Sequence, residues 1–434
     1  MFDKIMPPGK KIKEIRLFLK ATQKEVADGI CTKNRISQIE KHEKKINLNL
    51  AIGITENLNR IAQLKKIDMV ITVEELMMDE DDQSNNILTK NIINHLHEVK
   101  SVELFERKLM EAEMIIGNYI IRDEIKIQLY KLASNFYYNK NSYHKSNEMC
   151  SKGLMACLSS ENRLEEAHFY VNKSRNSTSE NYHDQSLIQL IEAELINNKI
   201  CNEDLWERIL FNRAQTYKNM ERYTDALISL NELKDKFKLG NKSKLLTVLM
   251  LIANCLNDNK QFDKAEIQYK EILKIASGLN DQNFISQAYR NLSEVYYNKE
   301  DYEVAAEYIK EALKEHPHNY CLNETLYFTA KVLKHTNEDT EMYLLRSLEL
   351  CEKDDLENVT LIEAIIYELV LVYIKRDDNV NLELMLNKIE ELQLSSTLIL
   401  TELSKYYRYK NKEMDTYLSD KLINHHKEKN KYLK

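Results

Sequence analysis

Glycine and proline are scarce: 7 and 3 among 434 residues. They are the residues helix interiors tolerate least, since glycine loses the most backbone entropy on folding and proline lacks the amide donor. Their scarcity argues against a chain of tight β-hairpins or Pro/Gly-rich linkers and predicts an all-α fold. Pro7 and Pro8 precede the first helical pattern and Pro317 follows a later one, so no proline interrupts a predicted helix. Long apolar runs are missing too. No stretch approaches the roughly 20 residues that span a bilayer, and no signal-peptide core follows Met1, so a cytoplasmic chain with no membrane partner is expected. The seven cysteines, at positions 31, 150, 157, 201, 255, 321 and 351, are odd in number, scattered and never in a Cys-x-x-Cys pair. They read as small apolar core residues in a reducing compartment. His95/His97 and His316/His318 lack companion ligands, so no metal site is expected. No Gly-rich phosphate loop or nucleophile elbow is present, so neither catalytic residues nor a cofactor are expected.

What is present is unevenly charged. The chain carries −7 overall, yet residues 1–68 hold 15 Lys/Arg against 8 Asp/Glu, a surplus of +7 that leaves −14 for the remainder. A basic head on an acidic body predicts that only the head meets a polyanion.

In the head, residues 10–20 place Ile12, Ile15 and Leu19 on one helical face, with Lys10, Lys11, Lys13 and Arg16 largely elsewhere. Thr22 and Glu25 form a capping box for a short helix, Gln23–Asp28, which Gly29 ends. Thr32 caps the next helix, Lys33–Lys41, which buries Ile36 and Ile39 and presents Lys33, Asn34, Ser37 and Gln38. Two short helices joined by a tight Gly turn form the unit that lays its second helix in a DNA major groove. The strings IKEIR from Ile12, TQKEVA from Thr22 and NRISQIE from Asn34 resemble the Xre/Cro-type helix-turn-helix family, with Ala27 and the Ile36/Ile39 pair at the matching positions. ITVEEL from Ile71 resembles that family's closing helix, whereas Leu48–Ile67 is longer than usual and implies an extended fourth helix. The resemblance implies an inverted-repeat operator in double-stranded DNA. Lys10, Lys11, Lys13, Lys41, Lys44 and Lys45 then neutralise phosphates, Gln23 bonds a phosphate or base, and Thr32, Lys33, Asn34, Ser37 and Gln38 reach base edges.

The head is taken as residues 1–76, followed by an acidic linker at 77–86, a repeat domain at 87–425 and a basic tail at 426–434. Asp79–Asn86 has no apolar periodicity, which is why it reads as linker. Beyond it the chain repeats. YKLASNFYYNKNSY from Tyr130 aligns with YRNLSEVYYNKEDY from Tyr289, and related copies run Ala214…Tyr223…Ala226 and Ala253…Phe262…Ala265. In each, a small residue is followed three later by an aromatic or Leu, nine later by Tyr or Phe and twelve later by Ala or Ser. That is the packing code of a helical hairpin, in which the small residues let two helices approach and the aromatics fill the groove. Weaker copies centre on Tyr373 and Tyr407, giving roughly seven to nine hairpins. The pattern resembles the tetratricopeptide repeat and implies an α-solenoid. Projected onto the first helix of each hairpin, it places Asn135, Tyr138, Asn139, Gln215, Lys218, Asn219, Asn254, Asn257, Arg290, Glu294, Tyr297 and Asn298 on a concave face. Asn amides both donate to and accept from a peptide backbone, and Arg290 or Lys218 suits a carboxylate.

An Xre-type head on such an array resembles the RRNPP family of peptide-responsive regulators (PlcR, NprR, Rgg and their relatives), and the Lys-, Asn-, Ile- and Tyr-rich composition resembles clostridial members of the RstA type. The resemblance implies a homodimeric transcription regulator in quorum sensing, sporulation or virulence whose operator binding is set by a short signalling peptide. An alternative within the same resemblance is a Rap-like interaction module that inhibits or dephosphorylates a response regulator, with or without DNA binding.

Overall fold

A computed structural model of the chain describes residues 5–238, 240–315, 322–353, 358–392, 394 and 396–431, with side chains as far as 423. Pro317, the His316/His318 pair, Cys321 and the side chains of the basic tail lie outside the described residues. The described residues contain helices and no strand, and the chain divides into two compact units, Met1–Met220 and Glu221–Lys434.

The first unit opens with five helices: α1 (Pro8–Phe18), α2 (Gln23–Ala27), α3 (Lys33–Glu40), α4 (Leu48–Leu64) and α5 (Val73–Met77). Pro8 is the first residue of α1, where its missing amide costs no intrahelical bond. Ile12, Ile15, Leu19, Val26, Ile36, Ile39, Ile54 and Leu58 share one core. The expected capping box is present: Glu25 N donates to Thr22 Oγ1 (3.2 Å) and Thr22 N to Glu25 Oε2 (2.6 Å). Gly29 takes φ +69 in the turn to α3. A Cβ on Gly9 would lie 2.0 Å from the carbonyl oxygen of Ile39, so α1 rests directly on the end of α3. The extended α4 is tied in through its amides. Asn59 clasps the N–H and C=O of Ile71, both at 2.8 Å, and Asn57 donates to the carbonyls of Val26 and Asp28.

The stretch expected to be a linker is helical. Asp79 caps α6 (Glu80–Asn86), with Asp82 N donating to its carboxylate at 2.8 Å and Glu80, Asp81 and Asp82 in the first turn, where the helix dipole favours them. Gln83 Nε2 donates to Met6 O (2.7 Å) while its Oε1 accepts from Met6 N (3.2 Å). On the other side, Asn85 donates to Ile120 O (3.0 Å) and accepts from Arg122 N (2.9 Å), and Asp81 accepts from Ile120 N (2.8 Å). The buried positions of α6 are Gln83, Ser84 and Asn85, so apolar periodicity has nothing to register. A π-helical segment, Ile87–Ile93, continues through α7 (Asn94–Leu96) to α8 (Val102–Asn118).

Consecutive helices then pair. The first unit holds α9 (Asp123–Asn139) with α10 (Tyr143–Ser160), α11 (Arg163–Ser179) with α12 (His183–Ile200), and α13 (Glu203–Asn219). The second holds α14 (Tyr223–Phe237), then α15 (Lys242–Asp258) with α16 (Phe262–Leu279), α17 (Gln282–Asn298) with α18 (Tyr302–Glu315), α19 (Leu322–His335) with α20 (Glu341–Lys353), α21 (Val359–Arg376) with α22 (Asn379–Glu391), and α23 (Thr397–Tyr407) with α24 (Lys412–Lys431). The small residues act as expected: Ser146 Oγ donates to the Ser134 carbonyl (2.8 Å) and Ser293 Oγ to that of Ala305 (2.7 Å), bonds that need near backbone contact. Gly153 serves the same end, since a Cβ there would lie 2.1 Å from the Phe169 ring. Many turns use non-glycine residues at positive φ, among them Asn141, Glu161, Asn181, Lys260, Asn280 and Glu300. Asn is also a frequent N-cap, at 47, 162, 202, 241 and 358, so part of the Asn-rich composition is punctuation. Cys150, Cys157, Cys255 and Cys351 are buried as expected, whereas Cys31 is half-buried and Cys201, at φ 50 in the turn after α12, is exposed. No described helix is long and apolar enough to cross a membrane.

Candidate nucleic-acid and peptide surfaces

Thr32 Oγ1 accepts from Arg35 N (3.2 Å), fixing the start of α3. Lys33 and Asn34 are exposed on its first turn, Ser37 and Gln38 are half-exposed one turn on, and Lys41, Lys44 and Lys45 are exposed beyond its end. Lys10 and Lys13 are exposed on α1. The spacing of 33, 34, 37, 38 and 41 lies on one helix face, opposite the buried Ile36 and Ile39.

Two head residues sit differently from expectation. Lys11 is 2% exposed and turned inward: Nζ donates to the carbonyls of Glu75 (2.8 Å) and Met78 (2.7 Å) at the end of α5. Burial lowers its pKa to about 8. It is a C-terminal helix cap and is withdrawn from the phosphate set, because sequence periodicity does not distinguish a solvated lysine from one serving carbonyl oxygens. Gln23 is half-buried and donates through Nε2 to Glu40 Oε2 (2.8 Å). Glu40, itself buried, forms a two-pronged pair with Arg16 at 2.7 and 2.9 Å, which raises the arginine's pKa through that bond. This Gln23–Glu40–Arg16 network went unread in the sequence, where Glu40 entered only as the last residue of the NRISQIE string.

In the first unit the face made by the first helices of successive hairpins, α9, α11 and α13, is a polar ladder. Asn135 Oδ1 accepts from Arg175 Nη2 (3.2 Å), and the Arg175 guanidinium lies 3.6 Å from the centre of the Tyr138 ring. Tyr138 Oη is 3.5 Å from Ser179 Oγ, and Arg208 Nη2 donates to Asn172 Oδ1 at 3.1 Å. Lys131 Nζ bonds Glu165 (2.7 Å), whose other oxygen lies 3.4 Å from His168 Nδ1. Asn139, Gln215 and Asn219 are exposed and Lys218 half-exposed. Asn135 and Tyr138 are thus brought together, but by α11, whose residues the repeat pattern passed over. Ser174 stands 40 residues after Ser134 and 40 before Ala214, with Ser177 where Tyr137 and Tyr217 mark the other copies.

In the second unit the same face is aromatic and largely self-occupied. Asn254 Oδ1 accepts from Tyr269 Oη (2.6 Å) and Asn291 Nδ2 (3.1 Å). Asn257, expected on the face, is 5% exposed, its Oδ1 accepting from Asn298 Nδ2 at 3.4 Å, so it acts between helices. Arg290 Nη1 donates to Asn291 Oδ1 (3.3 Å) and lies 4.0 Å from the Glu294 carboxylate. The Tyr297 ring packs edge-on against Phe328 and His335, at 5.7 and 5.5 Å.

These features define an all-α protein of the tetratricopeptide-type α-solenoid class. Residues 244–314, from α15 into α18, match the tetratricopeptide repeat family model. The chain is 28% identical over 192 residues to the regulatory protein RapD of Bacillus subtilis (strain 168), an alignment covering 40% of this chain and 51% of RapD, so the chain spans about half the length of that curated relative. Among solved structures it is similar to aspartyl phosphate phosphatase F from Bacillus subtilis (14% identity, 91% of this chain and 96% of that one, TM-score 0.48) and to the apo form of the quorum sensor NprR from B. thuringiensis (16% identity, 82% and 99%, TM-score 0.48).

Proposed function

We propose that this protein is a cytoplasmic, homodimeric, sequence-specific DNA-binding regulator whose affinity for an inverted-repeat operator is set by a short peptide on the first-helix face of the repeats. The observation that carries the reading is α3: Lys33, Asn34, Ser37 and Gln38 share one uncovered face, capped by Thr32 and flanked by Lys10, Lys13, Lys41, Lys44 and Lys45. Lysines neutralise phosphates and confer salt dependence, while Asn and Lys on the groove-facing helix read base edges. The polar first-helix face supports the peptide half, because its amides and guanidiniums match peptide C=O and carboxylate groups. A peptide that prefers one dimer arrangement by about 1–3 kcal/mol shifts operator affinity roughly 5–150-fold.

The test is operator selection from a random duplex library by the full chain, then titration of Lys33→Ala/Asn34→Ala/Ser37→Ala. We expect at least about a tenfold loss of specific affinity with unchanged helicity and oligomeric state. An unchanged operator preference would sink the DNA-reading role of α3. The match to RapD favours a second reading, in which the helical body acts on a protein partner without DNA. In that case the triple variant keeps full activity in cells.

A further inference from the structure

Arg175 and Arg208, both half-buried, lack the carboxylate partner that arginines drawn out of water normally have. They stand on α11 and α13, which pack on each other. Each engages one asparagine oxygen through Nη2, and neither has a carboxylate within 4.0 Å among the described residues. Arg175 Nε is buried with no hydrogen-bond partner. Burial lowers the pKa of both, and the charge of Arg175 lowers that of Arg208 further, so two like charges share a poorly solvated site. Glu165 is the acidic group that acts on Arg208, but its oxygens are taken by His168 and Lys131, which hold its pKa at about 2. An uncompensated pair of this kind costs stability, and folds retain such pairs where a ligand supplies the missing charge. The asparagines and the Tyr138 ring hold the guanidiniums in place before any ligand arrives.

We propose that Arg175 and Arg208 form an anion seat for a carboxylate of the bound peptide, either its C-terminal carboxylate or an acidic side chain, with Tyr138 as the floor. The inference rests on the peptide-binding reading above and gives that ligand its chemistry. A guanidinium fork meets a carboxylate through two parallel bonds, which fixes orientation as well as charge.

The test uses the full-length chain, its Arg175→Gln/Arg208→Gln and Arg208→Gln variants, and two probes. The first probe is glutarate against chloride at equal ionic strength, read as thermal midpoint. Glutarate should raise the wild-type midpoint and leave the double variant unmoved, and an equal response in both overturns the seat. Without added dicarboxylate, Arg208→Gln should melt at or above the wild type, because it relieves the repulsion. A sharply lower midpoint with the glutarate response intact would make Arg208 a structural cation and overturn its part. The second probe is a random hexapeptide library, as free acids and as C-terminal amides, recovered by gel filtration. The double variant should retain acidic or free-acid members at least about tenfold less well than the wild type. Loss on amidation assigns the terminal carboxylate, and retention of only Asp- or Glu-containing amides assigns a side chain. A glutarate response with no peptide retained would sink the peptide reading and leave an anion seat for some other carboxylate.

Discussion

The seams between packed helices in the two units use two chemistries. In the first unit, α11 buries polar groups: Ser174, Thr178, Ser186 and Thr216 form a hydroxyl cluster with oxygen separations of 2.8–2.9 Å, and Asn176 joins Ser146 to Asn147. In the second, Tyr289, Tyr296 and Tyr308 stack, while Tyr297, Phe328, Tyr302 and His335 interlock. An aromatic groove packs by area and is forgiving of small shifts. A hydroxyl cluster is satisfied in one geometry alone and fixes the relative position of α11, α12 and α13. The difference shows in the arginines: in the first unit Arg175 and Arg208 hydrogen-bond only asparagine oxygens among the described residues, whereas in the second Arg290 lies 4.0 Å from the Glu294 carboxylate.

The strongest way to break this contrast is to remove one buried oxygen from each unit. Thr216 Oγ1 lies 2.9 Å from both Thr178 Oγ1 and Ser186 Oγ and donates to Asn212 O. Thr216→Val keeps the shape and leaves buried hydroxyls short of a partner, at a cost of about 1–3 kcal/mol. Tyr269→Phe in the second unit should cost less than about 1 kcal/mol, because Asn254 Oδ1 keeps its bond from Asn291. Urea unfolding midpoints of the two variants decide it, and equal losses would erase the distinction.

Legibility in the sequence follows the same division. Helix boundaries in the head were readable because Thr22/Glu25, Thr32 and Gly29 act within four residues of their targets. Hairpins marked by Tyr137, Tyr217 and Tyr296 were readable because an aromatic at a fixed offset is a strong signal. The α11 copy was not, because Ser177 stands in the aromatic's place and bonds Gln189 instead. Nor was α6, whose buried face is Gln83, Ser84 and Asn85. Arg175 and Arg208 were out of reach for a different reason: lacking a counter-ion is a property of the tertiary arrangement and leaves no local trace.

Acid sharpens the comparison further. Hydrogen bonding to His168, then Lys131, depresses the Glu165 pKa from its ordinary 4.5 to about 2. A carboxylate depressed in the fold contributes stability that is present above about pH 4.5 and is lost as pH falls toward 2. Discounted for solvent screening, Glu165→Gln should therefore lose about 1 kcal/mol at neutral pH, with the gap to wild type closing over that window. Stability measured in urea at a series of pH values checks it. A gap that stays constant down to pH 2 would mean that Glu165 acts through packing, and that its charge does not belong to Lys131 and His168.

The smallest effect tests what the units share. Glu161, after α10, and Glu300, between α17 and α18, both sit in the left-handed region at φ 56 and 63. For a residue with a Cβ that conformation costs roughly 1–2 kcal/mol, whereas glycine adopts it freely and gives back about 0.5–1 kcal/mol in unfolded-state entropy. Glu161→Gly and Glu300→Gly should therefore each stabilise by roughly 0.5 kcal/mol, read as a higher urea midpoint at unchanged slope. Equal gains would mean that the turn geometry is indifferent to the chemistry of the faces it joins. A gain in the second unit with a loss in the first would mean that the polar unit needs a stiff turn after α10 to hold its hydroxyl cluster in register, which extends the contrast from the side chains to the backbone.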